Sequence, residues 1–133
     1  MIYLQHVSLV TADLARSIAF YRDVFEFDQV PRPKFSTNGA WFQFGACQIH
    51  LIDNPNGTFR RSTSIDSADT HFAMRVDDFE AMVSMLTKKG FREDAPDGDV
   101  KRLFTIRKGP ANFPQAYVLD PDLNIIEINA AAR

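Results

Sequence analysis

A register of 65 residues runs through this chain. His6 precedes His71 by that interval, Asp13 precedes Asp78, and Leu14, Ile18 and Tyr21 precede Phe79, Val83 and Leu86. Two copies are too few for a solenoid, so the repeat describes paired modules. In the first copy, residues 2–10 alternate as a strand, with Val7 and Leu9 on one face and His6, Ser8 and Val10 on the other. Residues 12–25 carry Leu14, Ile18, Tyr21 and Phe25 as a helical stripe. A strand follows at 27–31, then a hairpin of 39–45 and 47–53 turned at Gly45-Ala46. The second copy starts at 70–76, where Phe72, Met74 and Val76 oppose His71, Ala73 and Arg75. A helix is predicted over 78–89, capped by Asp77 with Glu80 three residues on, and ended by Lys88, Lys89 and Gly90. Strands at 113–119 and 124–129 form its hairpin around Asp120-Pro121-Asp122-Leu123.

Each copy thus reads as a β-α-β-β-β unit of an α+β fold: module one at 1–53, a polar linker at 54–68, module two at 69–133. The segment 97–112, with Gly98, Gly109 and Pro110, reads as a loop that forms a flap. In such a unit the helix covers one sheet face. The other face needs a second sheet, or it encloses a cavity.

Length and charge narrow the function. The chain has 133 residues, one domain by size, and carries a formal net charge of −2. With no basic tail or charge run, nucleic acid and anionic membrane are not expected as partners. The longest apolar runs fall far short of the ~20 residues of a membrane span. The N-terminus lacks the pattern of a secretory signal, and the single cysteine, Cys47, excludes an internal disulfide framework; both fit the cytoplasm. Twelve phenylalanines either thicken the core or line an apolar cavity.

All three histidines of the chain fall in predicted strands. His6 and His71 lie opposite the helix-facing residues, His50 lies opposite Ile49 and Leu51, and Glu127 lies opposite Ile126 and Ile128. Imidazole nitrogens and a carboxylate suit Zn²⁺, Fe²⁺, Ni²⁺, Co²⁺ or Mn²⁺. The competing reading is plain: strand histidines are commonly surface or hydrogen-bonded residues, and Glu127 suits the solvent face of an amphipathic edge strand.

The sequence resembles the vicinal-oxygen-chelate superfamily, also called glyoxalase/bleomycin-resistance/dioxygenase proteins. The likeness rests on His6-Val7-Ser8-Leu9-Val10, Asp13-Leu14, Ser17-Ile18-Ala19-Phe20-Tyr21, Gly39-Ala40-Trp41-Phe42, Gln48-Ile49-His50-Leu51-Ile52, His71-Phe72-Ala73-Met74-Arg75-Val76 and Asp120-Pro121-Asp122-Leu123-Asn124-Ile125-Ile126-Glu127. It implies two tandem βαβββ modules forming a curved mixed sheet around a metal-binding cleft. It also implies one divalent ion held by His6, His50, His71 and Glu127, and a small substrate that chelates the ion through adjacent oxygens. A glyoxalase-I-like lyase or isomerase is the leading activity, with Glu127 as catalytic base. An Fe(II)-dependent extradiol-type dioxygenase using His6, His71 and Glu127 is the alternative, and a non-catalytic small-molecule binder the third reading. Members of this kind commonly form homodimers. Trp41, Phe42, Phe44 and Tyr117 are candidates to line the cleft, and Arg32 and Arg102 to clamp an anionic substrate group, as are Arg60 and Arg61. Glu26 and Leu123 stand where the family usually has glycine.

Overall fold

A computed structural model describes residues 1–132. The chain divides into two compact units, Met1–Phe59 and residues 60 onward, each with one four-stranded mixed sheet and one helix. In the first unit the elements are β1 (His6–Thr11), α1 (Leu14–Asp23), β2 (Asp28–Val30), β3 (Gly39–Phe44) and β4 (Cys47–Asp53), with sheet order β1-β4-β3-β2. In the second they are β5 (His71–Val76), α2 (Phe79–Lys88), β6 (Phe104–Ile106), β7 (Gln115–Leu119) and β8 (Ile125–Ala130), with order β5-β8-β7-β6. Both sheets pair their first and last strands in parallel and the rest antiparallel. The repeat is therefore one topology used twice, which confirms the α+β, two-module reading.

Local chemistry explains the boundaries. Asp13 and Asp78 each take an extended backbone and accept a hydrogen bond from the amide three residues on, Arg16 and Ala81. Each satisfies a donor that a helix N-terminus leaves unpaired. The α2 cap is therefore Asp78, not Asp77. The capping-box expectation fails with it, because Glu80 turns to Arg107 at 2.8 Å instead. At the other end of α2, Gly90 adopts φ 101° and Phe91 N–H reaches back to the Leu86 carbonyl. This is the left-handed stop that glycine permits.

Residues 2–5 lie outside β1, and the side chains of Met1, Ile2, Tyr3 and Leu4 are exposed. The expected flap at 97–112 instead contains a strand, β6, paired with β7 from Phe104↔Tyr117 to Ile106↔Gln115. Leu103 is buried just before it, and that anchor outweighs the charged neighbours. Part of the presumed linker also belongs to the second unit. Ile65 packs in a buried cluster with Tyr117, Leu119 and Ile125. Arg60 ties this stretch down through the carbonyls of Ser62, Ser64 and Leu123 and the Asp69 carboxylate.

The two positions where a glycine is usual do adopt the left-handed region: Glu26 has φ 57° and Leu123 φ 67°. At Leu123 the turn is clamped by Asp120, whose carboxylate accepts from the Asp122 and Asn124 amides and the Asn124 side chain. Leu123 in turn packs on the apolar cluster around Ile65.

The helix-facing side of the first sheet is an aromatic ladder. Tyr21 and Phe42 are fully buried with ring centroids 6.1 Å apart, and Phe25, Phe27 and Phe44 continue the series at 5.5 and 5.2 Å. Most of the phenylalanine load of this unit is thus spent on the core under α1.

Candidate metal centre

Strand register gives the two sheets equivalent positions on the face away from the helix. In the first unit Ser8 lies beside His50, and His50 is directly opposite Trp41. In the second, Ala73 lies beside Glu127, and Glu127 is directly opposite Tyr117. His6 and His71 sit on the outer strands two residues before Ser8 and Ala73. Each sheet therefore presents an edge-strand histidine, a central-strand ligand candidate and an aromatic across from it. β8 is a central strand and Glu127 is 6% exposed, so the solvent-facing edge-strand reading of Glu127 is excluded.

The four candidate ligands occur as two pairs, one in each unit. In the first, the His6 and His50 rings stack at 4.0 Å between centroids, and Trp41 stacks on the other side of His50 at 4.1 Å. In the second, His71 Nε2 faces Glu127 Oε2 at 3.0 Å. Among the described residues no group of three or more His, Cys, Asp or Glu side chains is gathered closely enough to hold an ion.

The hydrogen-bond partners decide which nitrogens are available. His71 Nδ1 lies 2.7 Å from the Asp69 carbonyl, which can only accept, so Nδ1 carries the proton. The lone pair of neutral His71 is then on Nε2, pointing at a carboxylate oxygen. Two acceptors facing each other at 3.0 Å require a positive centre between or beside them, a proton or a metal ion. A histidine that donates its other N–H to a carbonyl is the usual arrangement of a metal ligand. His6 repeats it, with Nδ1 held by the Gln5 side-chain oxygen and Nε2 left over.

His50 differs. Gln43 Nε2 donates to the carbonyls of Gly45 and Cys47, so Gln43 Oε1 must accept from Gln48 Nε2. Gln48 Oε1 then faces His50 Nε2 at 2.8 Å and accepts its proton. The nitrogen left as a lone pair on neutral His50 is Nδ1. Burial, together with the nearby charges of His6 and Arg32, lowers the His50 pKa and favours the neutral, ligand-competent ring.

Burial works against ionisation of Glu127, but hydrogen bonds from Asn129 and Gln115, and from His71 when its ring is protonated, outweigh it, and the net shift is downward. Asn129 Nδ2 and Gln115 Nε2 both donate to Oε1 at 3.0 Å, leaving Oε2 for His71. The Tyr117 hydroxyl, raised in pKa by burial and by the Glu127 charge, accepts from Gln115 at 3.0 Å.

Beyond the ligand pairs, each unit has an aromatic ramp ending in an arginine. In the first, Phe35 lies 6.1 Å from Trp41 and the Arg32 guanidinium sits 4.8 Å over Phe35. In the second, Phe104 lies 5.9 Å from Tyr117 and Arg102 sits 4.8 Å over Phe104. Arg32 already donates to the Thr37 carbonyl and hydroxyl, and so staples its own loop. Arg102 makes a 3.4 Å contact with Asp97. Phe44 does not join this face. It shares the helix side of β3 with Ala40 and Phe42, stacked on Phe27, and Phe42 is fully buried against Tyr21; the expectation that these two line the cleft is corrected. Arg60 is likewise consumed by its loop. The residues that sequence reasoning missed are Gln48, Gln115 and Asn129; their only signal was sharing a strand face with a ligand candidate.

The family model described as the Glyoxalase/Bleomycin resistance protein/Dioxygenase superfamily matches residues 3–128. The chain belongs to this superfamily. A curated relative, "Glyoxylase I 4" of Arabidopsis thaliana, is 27% identical over 127 residues, covering 94% of this chain and 68% of that protein. Solved structures agree on the superfamily fold. A putative glyoxalase family protein from Bacillus anthracis superposes with a TM-score of 0.76 at 22% identity, over 98% of this chain and 95% of that one. Lactoylglutathione lyase from Agrobacterium tumefaciens gives 0.69 at 20% identity, covering 97% and 93%. The fosfomycin resistance protein FosX from Listeria monocytogenes, solved as a glutamate-to-glutamine mutant with Mn(II) and a dihydroxypropylphosphonic acid, gives 0.73 at 14% identity, covering 99% and 95%. No helix among the described residues is long and apolar enough to cross a membrane.

Proposed function

We propose that the protein is a divalent-metal-dependent lyase or isomerase of the glyoxalase I type, with His6, His50, His71 and Glu127 as the metal ligands. The observation that carries this reading is the His71–Glu127 pair, in which a carbonyl-anchored imidazole and a buried carboxylate turn their free atoms toward each other at 3.0 Å. A bound divalent ion would supply Lewis acidity to a small substrate with adjacent oxygens. The residues supply the rest. Glu127 is the candidate proton acceptor for a carbon acid through Oε2, the oxygen not held by amides, which would give up the ion while it holds the proton; its lowered pKa keeps it ionised at neutral pH. Trp41 and Tyr117 offer flat apolar walls beside the ligand positions, and Arg102 is the arginine with capacity for an anionic substrate group.

The single cysteine is consistent with action in a reducing cytoplasm, and we read the protein as a homodimer. Turnover of the methylglyoxal–glutathione hemithioacetal, tested after reconstitution with Zn²⁺, Ni²⁺, Co²⁺, Mn²⁺ or Fe²⁺, checks the activity. No turnover with any of them overturns it. A mixture of a His6→Ala/His50→Ala chain with a His71→Ala/Glu127→Ala chain asks whether one chain or two fill the set; recovery of activity means two.

One observation favours a second reading. The Gln48 bond fixes His50 through Nε2 and leaves only Nδ1 to bind, unlike His6 and His71, which keep Nε2; without His50 the set is His6, His71 and Glu127, two histidines and one carboxylate of the kind that serves Fe(II) oxygenases. Oxygen uptake by Fe(II)-loaded protein with catechols, retained in His50→Ala, is the expected result under this reading.

A further inference from the structure

The polar residues around the two central-strand ligand candidates are not placed alike. Next to His50, the row that includes His6, Gln48 and Gln43 is polar, while the row on its other side is Val10, Ile52 and Gly39. Next to Glu127 the pattern is reversed. The row equivalent to His6-Gln48-Gln43 is His71, Ile125 and Leu119, and the row equivalent to Val10-Ile52-Gly39 is Arg75, Asn129 and Gln115. Three polar side chains thus cross the second sheet in the row where the first has none; Asn129 and Gln115 reach Glu127, and Arg75 reaches Asn129.

Their orientation is forced. Arg75 Nε donates to Asn129 Oδ1 at 2.8 Å, and an arginine can only donate. The Asn129 amide therefore presents Nδ2 to Glu127 Oε1, where Gln115 Nε2 also donates. The Arg75 guanidinium is itself fixed 4.8 Å over the Phe113 ring. Oε1 is thus held by two amide donors, and Oε2 is the oxygen turned to His71.

We propose that Arg75, Asn129 and Gln115 are positioning residues that hold Glu127 as a one-oxygen ligand. Asn129 and Gln115 occupy Oε1, and Arg75 locks the Asn129 amide against rotation. This rests on the reading of Glu127 as a metal ligand. It adds that the carboxylate is prevented from chelating through both oxygens, which keeps a coordination position for substrate.

Co²⁺ binding to the full-length apoprotein tests it by titration and by the visible absorption of the bound ion, which reports coordination geometry. Asn129→Leu and Arg75→Met are expected to weaken Co²⁺ about tenfold or more and to change the visible spectrum. Arg75→Lys, which keeps a donor for Oδ1, is expected to restore both toward wild type. Arg75 is exposed, so its variants fold even if Asn129→Leu does not. A purely structural role would move the unfolding midpoint and leave the bound-ion spectrum as it was. Glu127→Ala separates the two claims. If it loses Co²⁺ while Arg75→Met and Asn129→Leu bind within twofold of wild type with unchanged spectra, the positioning role is wrong and the ligand reading stands. If Glu127→Ala itself binds as wild type does, both fall.

Discussion

Replacing Glu127 by Gln and by Leu separates hydrogen bonding from charge at the centre of the second sheet. In Glu127→Gln the amide oxygen takes the place of Oε1 and still accepts from Asn129 and Gln115. The new NH₂ faces His71 Nε2, whose lone pair accepts it because Nδ1–H is engaged by the Asp69 carbonyl. Every polar atom stays paired. The cost is the exchange of two charge-assisted bonds for neutral ones, about 1 kcal/mol each, offset in part because no charge is then buried. The net loss is about 1–2 kcal/mol. Glu127→Leu strands the Asn129 and Gln115 donors and the His71 lone pair. Three stranded groups at about 2 kcal/mol each, less about 2 kcal/mol gained from a buried aliphatic side chain, give a loss of about 4 kcal/mol. Urea unfolding of chelator-treated protein at pH 7 should therefore rank wild type, then Gln, then Leu. With metal at 100 times its dissociation constant, wild type should gain about 2.7 kcal/mol, and Glu127→Gln, weakened a hundredfold, only about 0.4 kcal/mol. A Leu variant as stable as the Gln variant would refute the paired-donor reasoning.

Two further outcomes are expected. Glu26, exposed and left-handed, should be improved by Glu26→Gly, raising stability by about 0.5–1 kcal/mol in urea unfolding once the entropy of glycine is set against the relieved strain. The sole tryptophan, Trp41, stacks on His50 and reports its charge, because an imidazolium quenches indole emission. The folded-state pKa of His50 is depressed, so its contribution to stability is whole above the unfolded value of about 6.5 and is lost as pH falls through the folded value. Quenching should accordingly set in only below that unfolded value and vanish in His50→Gln; a midpoint at or above it would contradict the environment described for the ring.

The sequence carried the repeat because the same physical needs recur at the same spacing: a capping aspartate at 13 and 78, and an apolar helix stripe behind each. Strand alternation also placed His6, His50, His71 and Glu127 on the faces away from the helices. What alternation could not show is what lies beside a residue in the neighbouring strand. Gln48 and Asn129 share a strand and a face with His50 and Glu127, but Arg75 and Gln115, on either side of Asn129, became visible only with the registers of β5–β8 and β7–β8. β6 was hidden because three residues flanked by Arg102 and Arg107 carry too short a pattern, and its anchors, Leu103 inside the core and Arg107 paired with Glu80 and Glu93, are long-range. Asp77 and Asp78 are chemically equal as caps; the backbone turn alone selects the second.

The claim on which the functional account depends is that three imidazoles and one carboxylate serve a single ion. X-ray absorption at the cobalt edge of the reconstituted full-length protein counts imidazole ligands directly. Three are expected in wild type and two in His50→Ala, at one ion per chain. A count of two in wild type, unchanged by His50→Ala, would remove His50 from the ligand set, and a count of one or none would contradict the site altogether.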